Sequence, residues 1–175
     1  MERMINFDNN KANRCVGQIY LDFLDYAFSV ADFFMLVYKE HYGRGYLQEQ
    51  KTIMHALQKF KFRRRMEPSW PGTPGMYAPK TKYKIVFYRC DPAAKEILKA
   101  VNGIYDWKYP YPEDLAFFKG NQCWFYSTAH EYLATIVHAT DEDLEFLEAK
   151  GLASGKKVQY VDQELLTELD ETFLQ

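Results

Sequence analysis

The sequence predicts a single α+β domain spanning residues 1–175, in which an antiparallel or mixed sheet carries its helices mainly on one face. The length of 175 residues suits one domain with a full-sized core. Consecutive strand-like segments near the middle of the chain favour an antiparallel or mixed sheet. Hydrophobic residues make up 47% of the chain and aromatic residues 17%. This apolar content is enough to build a large core, so we expect an ordered protein.

Residues 19–38 fit two different structures. Polar residues recur there with the three- and four-residue spacing of a helical stripe, at Asp22, Asp25, Ser29 and Asp32. Some apolar residues at the start of the segment alternate instead, and the run Phe33–Tyr38 would serve as a buried strand. Both interpretations stay open on the sequence alone.

The next segments have clearer patterns. Residues 47–60 place apolar side chains on one helical face, and the basic residues at 59–65 suit the C-terminus of that helix. Four prolines and two glycines predict a loop over residues 67–79. Alternating apolar side chains predict a half-buried strand over residues 81–90.

The second half of the chain predicts further short elements. Asp91 and Pro92 are typical of the N-cap and first residue of a helix, here continuing to Val101. Because each proline disfavours a helical predecessor, residues 109–112 are expected to be extended. Two strands are predicted around the Gly120-Asn121 turn, at residues 115–119 and 122–128, and a third strand at residues 132–139. A capped helix follows at residues 140–151. The chain then continues with a small strand at residues 158–161 and a terminal helix at residues 162–173. We expect one core cluster that contains Ile85, Phe87, Leu115, Phe117, Phe125 and Ile136.

Cysteine content and hydropathy bear on the compartment. Cys15, Cys90 and Cys123 have neither the even number of a disulfide framework nor the CxxC spacing of a structural zinc site. They are predicted to be reduced thiols. The polar N-terminal residues do not resemble a signal peptide, and no apolar stretch is long enough to span a bilayer. We therefore expect a cytoplasmic protein without cofactor, metal or membrane contact.

Charge is distributed unevenly along the chain. Residues 1–90 hold 15 Lys and Arg against 8 Asp and Glu, whereas residues 91–175 hold 7 against 16. The basic cluster at residues 59–65 lies near aromatic side chains that would stack on bases. A pI of about 6.1 and the acidic second half nevertheless disfavour nucleic acid as a partner. An acidic, aromatic-rich domain suits a basic protein partner better.

His130 and Glu131 are the leading candidates for catalytic chemistry. A histidine beside a carboxylate would act as a general base or bind a metal, with Asp114 or Glu113 supplying a further oxygen from the neighbouring strand. On a continuous strand, His130 and His138 would face the same side. The HExxH motif, a Gly-x-Ser-x-Gly elbow around Ser127 and phosphate-binding loops are all absent from the sequence. A hydrolase or metal-dependent enzyme centred on His130 and Glu131 is the alternative functional hypothesis.

Aromatic residues near prolines are the candidate binding residues. Prolines stiffen the backbone, so such segments lose little entropy on docking. The residues that we predict to bind a partner are Trp70, Trp107, Tyr109, Tyr111 and Glu113. At least two of the four rings are expected to be partly exposed and to border a concave surface with Glu113 or Asp114. The leading hypothesis is a non-enzymatic binding or regulatory protein, such as an immunity protein, whose partner is another protein.

Two segments resemble known sequences. They are Glu-Pro-Ser-Trp-Pro-Gly-Thr-Pro at residues 67–74 and the stretch from Pro112 through Phe-Phe-Lys-Gly-Asn-Gln-Cys-Trp to Glu131. Over residues 67–140 the chain resembles small uncharacterised bacterial proteins, some of which are labelled stage III sporulation protein AH. The resemblance implies a small bacterial protein and implies no catalytic or binding residue. The sporulation protein itself has a transmembrane helix near its N-terminus, and this sequence predicts none.

Overall fold

A computed structural model describes residues 1–8, 15–73, 81–164 and 166. The strands are β1 (Glu2–Asn6), β2 (Phe33–Tyr38), β3 (Lys61–Glu67), β4 (Tyr83–Arg89), β5 (Glu113–Lys119), β6 (Gln122–Thr128), β7 (Leu133–Ile136) and β8 (Val158–Val161). The helices are α1 (Gln18–Val30), α2 (Gln48–Leu57), α3 (Pro92–Leu98) and α4 (Asp141–Ala149). The strands form one antiparallel sheet in the order β3-β4-β2-β5-β6-β7-β1-β8, which confirms the predicted α+β class.

Helices α1, α2, α3 and α4 pack on the same face of the sheet. Their buried side chains join one large apolar cluster with the side chains that the central strands direct to that face. Aromatic rings fill its centre: the Phe23 ring of α1 lies 4.8 Å from that of Phe125 and 6.2 Å from that of Phe117. Because these rings come from helix and sheet alike, they join the two layers.

A second apolar cluster lies on the opposite face. It contains Ile85 and Phe87, whereas Leu115, Phe117, Phe125 and Ile136 belong to the helix-side cluster. The prediction of one common cluster is therefore wrong, although all six side chains are buried. Successive residues of a strand face opposite sides of the sheet, and both sides are covered here. For the same reason the centre of β4 is buried on both faces.

Residues 19–38 contain both of the structures that their sequence allowed. Asp22, Asp25 and Ser29 of the helical stripe belong to α1, and the apolar run forms β2. Asp32 lies between them: its N–H donates to the carbonyl of Phe118 (2.8 Å), and its carboxylate accepts the N–H of Gly120 (2.7 Å). This single residue thus ties the end of α1 to the β5–β6 hairpin.

Most other predicted elements are confirmed with shifted ends. Asp91 caps α3 through the N–H of Ala93, and Thr140 forms a capping box at the start of α4. The strand predicted over residues 132–139 is shorter, because Tyr132 adopts left-handed backbone angles (φ 55°) before β7. Leu166 of the predicted terminal helix is buried, while residues 165 and 167–173 lie outside the described part of the chain, as do residues 74–79 of the predicted loop.

The segment at residues 109–112 is a turn and not an extended strand. The N–H of Tyr111 donates to the carbonyl of Lys108 (2.8 Å), and the Tyr109–Pro110 peptide bond is cis. These features define a turn with a cis-proline at its third position. The prediction of an extended segment was wrong because it assumed that the peptide bonds before both prolines are trans.

The basic cluster occupies an edge strand and not a helix end. Residues 61–65 belong to β3, which pairs with β4 on one side and is the last strand of the sheet on the other. The ring of Phe62 packs 4.6 Å from that of Phe33, so one of the predicted stacking aromatics is already engaged. Charged side chains on an edge strand discourage unwanted strand pairing, which accounts for the cluster without nucleic acid.

We expect no nucleic-acid binding at physiological ionic strength. The measurement is a gel-shift assay with single- and double-stranded probes, using the native chain and the triple variant Arg63→Glu, Arg64→Glu, Arg65→Glu. A salt-sensitive shift that the triple variant abolishes would contradict this expectation, since phosphate contacts weaken steeply with salt.

None of the helices in the described residues is long and apolar enough to cross a membrane.

Candidate functional site

A cleft of about 530 Å³ opens between the end of β2 and the start of β5. We call it the tyrosine cleft, and its lining residues are Lys39, Glu40, His41, Tyr42, Leu47, Gln50, Tyr109, Tyr111 and Glu113. Its volume falls within the range of about 300–1,000 Å³ that is usual for ligand pockets. Residues from three separate parts of the sequence therefore meet in one concave surface.

The first wall follows β2 and is held by the buried side chain of Gln50. The amide group of Gln50 accepts the N–H of Lys39 (2.9 Å) and donates to the Lys39 carbonyl (3.0 Å). These two bonds replace a strand partner and fix the backbone where β2 ends. Beyond them the chain turns back, with the N–H of His41 bonded to the carbonyl of Gly45 (2.9 Å). The turn presents Tyr42, whose side chain is 90% exposed.

The second wall is anchored by a buried tryptophan. The indole N–H of Trp107 donates to the hydroxyl of Tyr20 (3.0 Å), which in turn donates to the carbonyl of Leu98 (2.7 Å). The turn that follows carries Tyr109, which is 64% exposed, and the half-buried Tyr111. The buried anchor thus holds two tyrosine rings at the cleft.

An ion pair between Lys39 and Glu113 joins the two walls. The ammonium group of Lys39 also lies 5.1 Å from the ring centroids of Trp70 and Tyr83, which is within cation–π range. The charge of Lys39 is therefore largely satisfied within the protein. Glu40, which is exposed, contributes the other acidic group of the lining.

Asp114 is buried behind this ion pair and organises the surrounding loops. Its carboxylate accepts the indole N–H of Trp70 (2.8 Å) and the backbone N–H of Ala129 (2.9 Å). Burial raises the pKa of the Asp114 carboxyl above its ordinary value of 3.8, and the two hydrogen bonds act in the opposite direction. Because both oxygens are engaged, Asp114 acts as a structural acceptor and does not fit the predicted role of a catalytic carboxylate.

Replacing Asp114 by asparagine is expected to destabilise the protein most at acid pH. The native carboxyl contributes stability below pH 3.8, and this contribution is lost as the pH rises through its raised folded-state pKa. Asparagine does not titrate, so its contribution to stability stays the same across this pH range. Chemical denaturation of the native chain and of Asp114→Asn across this range measures the difference, with exposed Glu145→Gln as the control. A difference that grows with rising pH would contradict the assignment.

The predicted catalytic pair at His130 and Glu131 lies outside the tyrosine cleft. The two residues occupy a short 3-10 turn, their side chains are 60% and 56% exposed, and His130 Nε2 lies 3.6 Å from the carboxylate of Glu131. The strand expected to join His130 to His138 is interrupted, and His138 instead pairs with Glu2 (3.0 Å). The two histidines therefore do not form the shared face that the prediction required.

Other candidates for chemistry are also engaged or buried. The hydroxyl of Ser127 donates to the carbonyl of Leu115 (2.8 Å), so it does not form a serine nucleophile with His130. Cys15, Cys90 and Cys123 are thiols that form no disulfide bond, as predicted. Burial raises the pKa of Cys15 to about 12 and also raises that of Cys90, which disfavours reactive thiolates. Within the described residues, no cluster of three or more metal-ligating side chains occurs.

The predicted binding residues divide into two groups. Tyr109, Tyr111 and Glu113 line the cleft, and the two tyrosines are partly exposed, as expected. Trp70 and Trp107 are buried, so the two tyrosines alone meet the expectation that at least two of the four rings are partly exposed. Each indole N–H has an internal hydrogen-bond partner, which allows these large rings to pack under the loops.

The sequence did not indicate the first wall of the cleft. Lys39, Glu40, Tyr42 and Gln50 reach the cleft because β2 pairs with β5, a contact between residues distant in the chain. The available signal was the Gly43-Arg44-Gly45 turn beside an exposed tyrosine, and that pattern is common in loops. Comparison of the chain with protein families, curated proteins and solved structures finds no match. The resemblance described above therefore stays a prediction.

Proposed function

We propose that this chain is a non-enzymatic binding protein of bacterial type, comparable to an immunity protein, that holds a basic segment of a protein partner in the tyrosine cleft. The observation that carries the proposal is the pair of exposed tyrosines, Tyr42 and Tyr109, on walls fixed by buried hydrogen bonds. Tyrosines on a fixed backbone give a large contact area at low entropic cost.

The chemistry of the lining favours a cationic side chain. Tyrosine faces attract arginine and lysine, and an exposed carboxylate at Glu40 would pair with the same group. The positive charge of Lys39 weakens this attraction only slightly, because the carboxylate of Glu113 already neutralises that charge. The acidic second half of the chain would further raise the association rate with a basic partner.

The alternative, a hydrolase or metal-dependent enzyme centred on His130 and Glu131, receives less support. Its proposed residues are either solvent-exposed or, in the case of Asp114, hydrogen-bonded within the fold. A binding role requires none of these groups to react.

Calorimetric titration with two short peptides tests the proposal. One alternates arginine and glycine, and the other alternates glutamate and glycine. We expect saturable binding of the arginine peptide that weakens with salt, and no binding of the glutamate peptide. Equal affinity for both peptides, or no binding of either, would overturn the proposal.

A further inference from the structure

The two edges of the sheet are protected very differently. At one edge, β3 carries Lys61 and Arg63–Arg65, which discourage pairing with another strand. At the other edge, β8 has the sequence Val-Gln-Tyr-Val, without charge or proline. Among the described residues no strand pairs with its outer side, and Tyr160 is 62% exposed. Within the described residues, this second edge strand therefore carries no charged or proline residue that would prevent pairing.

Charged residues of opposite sign flank β8. Lys156 and Lys157 precede it, in a 3-10 turn, and Asp162 and Glu164 follow it. In an antiparallel pair the start of one strand lies beside the end of the other. Two copies of β8 arranged in this way bring the lysines of each copy next to the acids of the other.

From this pattern we infer that β8 is the contact surface for a second copy of this chain, forming a two-fold symmetric dimer with a continuous sheet. The symmetry axis stands perpendicular to the sheet, so opposite side chains point to the same face. Two pairing registers satisfy this symmetry. In one, Gln159 lies opposite Gln159 of the second copy, and in the other, Tyr160 lies opposite Tyr160 of the second copy. In either register, the turn that carries Lys156 and Lys157 of one copy lies at the same end of the paired strands as Asp162 of the second copy.

The contact is expected to be weak. Four residues of backbone pairing form a small interface, and solvent-exposed ion pairs strengthen it only slightly. Two like charges facing each other across the contact would weaken the dimer by more than an oppositely charged pair strengthens it. Charge therefore specifies the self-complementary arrangement, and the backbone of the uncharged strand provides the hydrogen bonds.

Sedimentation velocity over a concentration series tests the inference with two charge-reversed variants. Lys156→Glu with Lys157→Glu makes both flanks acidic, and Asp162→Lys with Glu164→Lys makes both basic. Each variant alone is expected to self-associate about tenfold or more weakly than the native chain, because 1.4 kcal/mol changes an equilibrium constant tenfold. An equimolar mixture of the two variants should form a heterodimer, since every flanking pair is then attractive.

Matched charge reversals away from the edge provide the control. Lys51→Glu with Lys82→Glu changes the net charge by the same amount as the lysine-flank variant, at exposed positions, and should leave self-association unchanged. Circular dichroism confirms that each variant is folded. A native chain that stays monomeric at all concentrations, or a dimer equally sensitive to the control and the edge variants, would overturn the inference. So would two edge variants that do not associate when mixed.

Discussion

Replacing Phe125 by alanine is expected to lower the free energy of unfolding by about 3–5 kcal/mol. Phe125 is fully buried, and its ring packs against Phe7, Phe23 and Phe117 at centroid distances of 5.7, 4.8 and 6.1 Å. Phe117 lies in β5, Phe23 in α1 and Phe7 directly after β1. Because these segments are separate, the three rings cannot move together to fill the cavity that alanine would leave. Chemical denaturation followed by circular dichroism measures the loss.

A parallel substitution on the other face of the sheet tests the two-cluster arrangement. Phe87→Ala is expected to cost a similar amount, because Phe87 is also fully buried. Phe87 and Phe125 lie in different clusters, so the two costs should add to within about 0.5 kcal/mol. Tyr42→Ala, at an exposed position, is the control and should change stability little. Unchanged melting of both phenylalanine variants would show that the clusters are misplaced.

Removing both exposed tyrosines of the cleft is expected to weaken binding of the arginine peptide by roughly 30-fold. The double variant Tyr42→Ala, Tyr109→Ala removes two cation-binding rings that contribute about 1 kcal/mol each, and a total of about 2 kcal/mol corresponds to this change in affinity. Neither ring is part of the buried core, so the melting temperature should stay close to that of the native chain. Calorimetric titration gives the change in affinity.

The conservative variants distinguish ring stacking from hydroxyl hydrogen bonds. Tyr42→Phe with Tyr109→Phe keeps both aromatic faces and should retain most of the affinity. An affinity unaffected by the alanine substitutions, in a protein that remains folded, would contradict a role for these rings. An affinity lost equally in the phenylalanine variant would assign the interaction to the hydroxyl groups.

Local sequence signals identified most of the elements because they act over a few residues. The N-caps at Asp91 and Thr140 depend on a side chain and a backbone N–H two or three residues away. The β5–β6 hairpin likewise depends on a short turn at Gly120-Asn121. Residues 19–38 appeared ambiguous because a helix and a strand lie there with only two residues between them.

Features determined by distant contacts were not predictable in this way. Residues 61–65 have no strong strand pattern, yet they form β3 because β4 supplies an antiparallel partner. Trp70 and Trp107 appeared to be surface residues beside prolines, and they are buried because Asp114 and Tyr20 accept their indole hydrogens. Likewise, only the pairing of β2 with β5 brings Lys39 to Glu113 and completes the cleft.

Mapping the peptide contact by NMR tests most directly the claim that the tyrosine cleft is the recognition site. In a titration of isotope-labelled protein with the arginine-glycine peptide, the largest backbone amide shifts are expected at residues 40–45 and 108–113. The amides of β3 and β8, at the two edges of the sheet, should move little. Shifts concentrated around His130 and Glu131, or along an edge strand, would contradict recognition at the tyrosine cleft. So would the absence of any shift.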